Sequence, residues 1–176
     1  MKLNANRLSK LALLTALAMI AFMLENLLPP LFIPGARLGI GNIFILLCLI
    51  WFSLPEALII LIAKCLLAGL FGGLTQVLYS FPSGFISTLV SFIFIKYFSK
   101  YFSLIAICAL SAVLHNLTQL SIFAVITNAN VIYYAPYLTI AGILAGMVTG
   151  AITYYIIKKF PLEKPSGVME DESGNK

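Results

Sequence analysis

Apolar positions along this chain fall into continuous runs rather than alternations. Six runs stand out, at about residues 8–28, 38–52, 54–71, 81–98, 102–125 and 137–157. A hydrocarbon core of about 30 Å takes roughly 20 helical residues to cross, so each run reads as a transmembrane helix. The second run is short and the third carries a charge, which makes five spans the alternative count. Unbroken apolarity argues against a β-barrel, whose strands alternate between lipid and lumen. The predicted fold is an all-α membrane protein, a six-transmembrane-helix bundle. It forms one transmembrane domain over residues 1–160, with residues 161–176 as a disordered cytoplasmic tail.

The polar exceptions are more informative than the runs. Lys64 lies ten residues into the third run. A cation near mid-bilayer costs a few kcal/mol on insertion scales. It persists where it faces a polar interior, pairs with an anion or lines a path. Glu25-Asn26 ends the first run, and Arg37, Gly39, Gly41 and Asn42 lead into the second. Gln76, Tyr79 and Ser80 border a predicted external loop before the fourth. Ser111, His115 and Gln119 recur every four residues, on one face of the fifth helix, with Asn116 beside them. Asn128 and Asn130 follow. Most of this set falls in the outer half of the predicted topology, which points to a pocket opening outward.

Each of these residues also has a plainer role. Arg37 at an interface can snorkel to headgroups. Glu25 and Lys64 can neutralise one another. His115 and Gln119 can act as interhelical hydrogen-bond glue. Gly39 and Gly41 have no preceding strand and form no dinucleotide motif, so they fit close backbone packing or a broken helix end.

Composition agrees with lipid as the main solvent: 61% of residues are hydrophobic and 10% charged, with mean hydropathy +1.05. The net charge of +5 reads as topology rather than as a nucleic-acid footprint. With six spans, Lys2, Arg7, Lys10, Lys96, Lys100, Lys158, Lys159, Lys164 and Lys176 fall on one side, and only Arg37 on the other. The positive-inside rule then places both termini in the cytoplasm of a multi-pass protein of the cell membrane. The basic N-terminus could open a signal peptide. Its apolar run is long for one, however, holds Glu25 and ends in Leu-Pro-Pro, so a retained first helix is expected. An apolar, proline-rich external loop follows, from Pro29 to Gly35. Glu170-Asp171-Glu172 is a solvated charge run.

Several chemistries are excluded. There is no GxxxxGK[ST] and no HExxH, so the chain carries no ATPase or zinc-hydrolase motif of its own. Asp171, in the tail, is the sole aspartate, so an aspartate-rich Mg²⁺-diphosphate site has no ligands here. Cys48, Cys65 and Cys108 lie in apolar runs without CxxC spacing and read as small buried hydrophobes. The expectation is a non-enzyme without cofactor or metal.

Small residues recur at helix-packing spacing: Ala12 and Ala16 in the first run, Ser83, Ser87 and Ser91 in the fourth, and Gly142, Gly146 and Gly150 in the sixth. Such stripes let backbones approach closely, within one chain or, where they face outward, against a partner. Ser53-Leu-Pro-Glu56 fits a capping box at the start of the third helix, which makes Glu56 a helix-start residue.

Six short helices, Ala12-x-x-x-Ala16, and the lead-in Gly35-Ala-Arg-Leu-Gly-Ile-Gly-Asn42 resemble the substrate-binding S components of energy-coupling factor (ECF) transporters. Within that group the chain is most similar to the Gx transporter family, also labelled heptaprenyl diphosphate synthase component I. The similar stretches are residues 34–42, Gly69-Leu-Phe-Gly-Gly73, Tyr79-Ser-Phe-Pro-Ser-Gly84 and His115-Asn-Leu-Thr-Gln119. They spread over most of residues 8–157. The resemblance implies a subunit that binds a vitamin or similar small molecule on its outer side and topples in the membrane. The drive would come from a coupling transmembrane subunit and two cytoplasmic ATPases, with Ala12 and Ala16 contacting the coupling subunit. The older label implies association with polyprenyl diphosphate or quinone synthesis, although the aspartate-rich motifs of a prenyl synthase are missing. No signature for thiamine, riboflavin, folate or biotin is present.

On this reading the chain is the substrate-binding membrane subunit of an ECF-type importer for a small vitamin-like or isoprenoid/quinone-related molecule. Arg37 would engage a negative group, and Lys64 would pair with Glu25 or the substrate. Asn42, His115, Asn116 and Gln119 would orient polar groups, while aromatics such as Tyr79 and Phe81 cover the ligand. Expected partners are the substrate, membrane lipid and the coupling and ATPase subunits, with no nucleic acid. The alternatives are a non-catalytic membrane subunit in heptaprenyl diphosphate or quinone synthesis and a purely structural interaction subunit.

Overall fold

The computed structural model describes residues 5–27, 39–128 and 130–160, apart from the side chains of residues 26, 27, 72 and 76. The predicted tail, the whole proline-rich loop, Arg37 and the side chain of Gln76 therefore lie outside the described residues.

The described chain is helical throughout: α1 (Ala5–Leu27), α2 (Ile40–Trp51), α3 (Leu54–Phe98), α4 (Leu104–Thr127), a 3-10 turn (Ile132–Tyr134) and α5 (Ala135–Lys159). α3 is two helices end to end. At Gly73 the backbone takes φ 76° and ψ 177°, a region essentially closed to residues with a Cβ. The break gives two spans, Leu54–Phe71 and Gly73–Phe98, called here the first and second arms. Five segments are thus long and apolar enough to cross a membrane, while α2 is a shorter apolar helix.

All six apolar runs are found as helices, but the loop expected before residue 81 is not. The turn is confined to Gly73, and Tyr79 and Ser80 are helical. Pro82 sits inside the second arm, where it withholds an N–H from the helix. The chain stays helical there, and the Ser83 hydroxyl donates to Tyr79 O at 2.7 Å and Ser80 O at 3.2 Å.

Other ends follow local chemistry. Ser103 caps α4 by accepting from the Ala106 N–H at 3.2 Å, the usual service of an N-cap hydroxyl. Asn128 closes α4 in the left-handed region at φ 50°. Pro55 and Pro136 occupy the first turns of α3 and α5, where a missing N–H costs nothing.

The outside of the bundle is apolar. On α1, Leu13, Leu17, Ile20 and Leu24 are exposed, and on α5 so are Ile140, Leu144 and Val148. Lys64, Ser83, Ser87, Thr88, Ser91, His115, Asn116 and Thr153 are buried. Apolar groups outside and polar groups inside suit a hydrocarbon solvent, where an unpaired polar group facing lipid is costly. α2 lies at the centre, packed against α1, α3 and α5. Ile43, Ile45, Leu47, Leu49 and Ile50 are all buried, as expected of a helix apolar on every side.

The glycine and alanine stripes differ in use. Gly142, Gly146 and Gly150 face α4. A Cβ on Gly146 would lie 2.7 Å from Cys108 O and 2.8 Å from Ala109 N, and one on Gly150 would lie 2.9 Å from Ile105 Cα. That stripe serves packing within the chain. Ala12 and Ala16 are exposed.

The capping box at Ser53 takes a different form from the expected one. Ser53 is the N-cap residue of α3, but its side chain caps no backbone N–H. Its hydroxyl donates instead to Glu56 Oε2. Glu56 is 1% exposed, and its other oxygen pairs with Arg7 Nη2 of α1 at 2.6 Å. Arg7 also lies over the Phe52 ring, 5.4 Å from its centroid. Glu56 is therefore a buried tie between α1 and the α2–α3 corner, not merely a helix-start residue.

Candidate functional site

Two polar groups occupy the interior, joined at Asn42. The first surrounds Lys64, on the first arm of α3. Its side chain is 7% exposed, and its ammonium donates to Asn42 Oδ1 at 2.7 Å. It lies 5.9 Å from the centroid of the Phe22 ring, a face that attracts a cation. Gly41 makes room for it: a Cβ there would stand 3.3 Å from Lys64 Nζ and 3.0 Å from Ala18 O. Gly39 does the other half of the local work. It opens α2 in the left-handed region at φ 72°, and its N–H donates to Glu25 Oε1 at 2.7 Å. Glu25 thus anchors the start of α2, while Lys64 bonds Asn42; of the two partners expected for Lys64, Glu25 or the substrate, Glu25 is engaged by Gly39.

The second group surrounds a cavity of about 50 Å³ between α2, the second arm of α3, α4 and α5. By the same measure a water needs roughly 10–15 Å³, so the space suits a few waters or one small chemical group. Asn42, His115 and Asn116 of the predicted set line it. Lys64, Tyr79 and Gln119 lie outside its wall. Tyr79 packs against Phe123 in a tilted arrangement, with ring centroids 6.3 Å apart. Gln119 is 7% exposed, one turn beyond His115 on the same face of α4.

The cavity extends along the bundle away from Gly39 and Asn42. It reaches Cys108, near the start of α4, and Thr153, near the end of α5. Ser87, Ser91, Ser111, Thr149 and Thr153 form much of its polar wall. Ser87 and Ser91 were legible in the sequence as a packing stripe, and Thr149 and Thr153 were passed over. Their four-residue spacing on α5 was the available signal.

Hydrogen bonds knit this wall. Ser91 donates to Ser111 Oγ at 2.9 Å, Ser111 to Ser87 O at 3.0 Å and Ser87 to Gly84 O at 3.0 Å. His115 Nδ1 stands 3.5 Å from Ser87 Oγ. Asn116 Nδ2 donates to Leu138 O at 3.3 Å, tying α4 to α5. Asn128 and Asn130 are exposed at the far end of α4 and beyond it. The three cysteines are buried, as expected.

Apolar exterior, membrane-length helices and a hydrogen-bonded polar interior define an all-α membrane protein. The chain belongs to the heptaprenyl diphosphate synthase component I family, whose profile matches residues 14–156. No curated protein and no solved structure matches it.

Proposed function

We propose that this chain is the substrate-binding membrane subunit of an ECF-type importer. The observation that carries the reading is the polar interior. Lys64, Asn42, His115 and Asn116 are brought together around or beside an internal cavity, in a chain whose exterior is apolar. Small-molecule sites commonly combine apolar walls with a few convergent polar groups. The present cavity is too small for a vitamin-sized ligand, so loading requires the helices around it to part.

The docking half of the proposal rests on α1. Ala12 and Ala16 are exposed, whereas the glycine stripe of α5 is occupied by α4. An outward small-residue stripe allows close approach of a partner helix. Replacing either alanine by tryptophan should leave the monomer folded and its melting temperature little changed, yet abolish co-purification with a coupling subunit and its ATPases. An unchanged complex would remove the docking role.

The proposed topology places both termini in the cytoplasm. Single-cysteine labelling of intact cells should then reach position 37 from outside, and position 98 only after the membrane is opened. The reverse pattern would overturn the orientation.

The family's name supports a second reading, a non-catalytic membrane subunit associated with a prenyl diphosphate synthase. The carboxylates in the bundle give no support to catalysis by this chain. Glu56 is engaged by Arg7 and Ser53, and Glu25 by Gly39. Recovery of the chain with a soluble prenyl synthase component, rather than with a coupling subunit, would favour this second reading.

A further inference from the structure

Hydroxyl groups dominate the polar wall of the cavity, and their protons are already committed. A hydroxyl has one proton to give and two lone pairs to receive. Ser87 and Ser111 each donate to a backbone carbonyl, a bond in which a hydroxyl can only be the donor. With the Ser111 proton so placed, Ser91 must be the donor in the Ser91–Ser111 bond. Thr149 donates to Gly146 O at 3.2 Å and Thr153 to Thr149 O at 2.8 Å. Back-bonding of this kind is common in helices, but here it has a chemical consequence. Five hydroxyls on three helices offer only lone pairs to the space between them.

One turn beyond the cavity, the same face of α4 carries another acceptor. Gln119 Oε1 is enclosed and has no hydrogen-bond donor among the described residues. Donors in the wall are few: the Thr88 hydroxyl and the amide protons of Asn42 and Asn116 not already used. Charge narrows the match further. Asn42, which lines the cavity, is bonded on its other side to the Lys64 ammonium. A bound cation would meet that charge at short range in a medium of low dielectric. A phosphate or diphosphate would meet a wall of lone pairs.

We propose that this interior takes an uncharged group rich in hydrogen-bond donors, such as a hydroxyl, amide or ring N–H group, and that Gln119 Oε1 receives one of its protons. The proposal rests on the substrate-binding reading above and narrows its ligand class: the bound group is neither a diphosphate nor an amine cation.

Gln119→Leu separates a binding acceptor from interhelical glue. An acceptor awaiting a ligand is a liability in the empty protein, and one bonded to a neighbouring helix is an asset. The probe is whatever small molecule co-purifies with the full-length protein, read by native mass spectrometry and accurate mass, together with thermal melting of protein stripped of it. Stripped Gln119→Leu should melt at or above the stripped wild type, by roughly 2–4 °C for a chain of this size. Its occupancy by a neutral, phosphorus-free adduct should fall about tenfold, the loss of one good hydrogen bond. A variant that melts several degrees lower, an adduct bearing phosphate or a fixed positive charge, or an adduct held equally by both proteins would overturn this proposal and leave the importer reading standing. A wild-type protein carrying no adduct from any preparation would overturn both.

Discussion

Gly146→Leu should prevent stable assembly of α4 against α5. A Cβ at this position would lie 2.7 Å from Cys108 O and 2.8 Å from Ala109 N. Both are backbone atoms of α4, so no flexible side chain can yield. The two helices would have to separate along their whole contact, because Gly142 and Gly150 are set against Val113 and Ile105 in the same way, one turn to either side. Overpacking a well-filled core typically costs about 1–3 kcal/mol and occasionally more. With backbone on both sides, the cost here should reach about 3 kcal/mol or exceed it. That corresponds to a fall in melting temperature of roughly 6–12 °C for a chain of this size in detergent. Met147→Leu, at an exposed neighbouring position, should melt like the wild type. Gly146→Ala should fall between them. If Gly146→Leu melted normally, the close approach of α4 and α5 would not be a feature of the folded protein.

The contrast between Gly146 and Ala16 also marks the limit of what the sequence discloses. Both stripes repeat at four residues, and spacing alone assigns neither to the inside. The difference lies in what surrounds them. Gly142, Gly146 and Gly150 share a face with Leu138 and Thr153, all buried. Ala12 and Ala16 share theirs with exposed Leu13, Leu17 and Ile20. In a membrane helix both surroundings are apolar, so hydropathy cannot tell lipid from core.

The six helical segments were legible because continuous apolar runs have few alternatives. The break at Gly73 was not, because Pro82 and the polar residues around Tyr79 are the louder local signals. Gly39 and Gly41 were read correctly as a helix end and a close packing position. Their physical causes, a left-handed turn and room for the Lys64 ammonium, needed coordinates. Arg7 and Glu56 are 49 positions apart, and no periodicity connects them. Lys64 was legible as inward-facing, since about two helical turns of hydrocarbon separate it from either end of its helix. Its bond to Asn42 was not foreseen, because Glu25 and the substrate were the partners expected for it.

That bond changes which substitution should do most harm. Asn42→Leu removes the acceptor at 2.7 Å from the Lys64 ammonium. A hydrogen bond to a charged group is worth about 1.5–3 kcal/mol. Lys64→Met removes the charge itself and keeps most of the side-chain volume, and Asn42 retains an amide that can turn toward the cavity. Replacing a buried polar pair by apolar groups of similar size is often neutral, whereas removing one partner is costly. The expected order of stability is therefore wild type, Lys64→Met and the double variant close together, with Asn42→Leu well below all three. Melting of the four purified proteins closes a double-mutant cycle, with a coupling of about 2 kcal/mol or more expected for residues in direct contact. Glu25→Leu should stand outside this cycle, because Glu25 holds Gly39 N rather than Lys64. Its effect should add to that of Lys64→Met. Strong coupling between Glu25 and Lys64, with none between Asn42 and Lys64, would restore the ion pair and dissolve the link between the ammonium and the cavity wall.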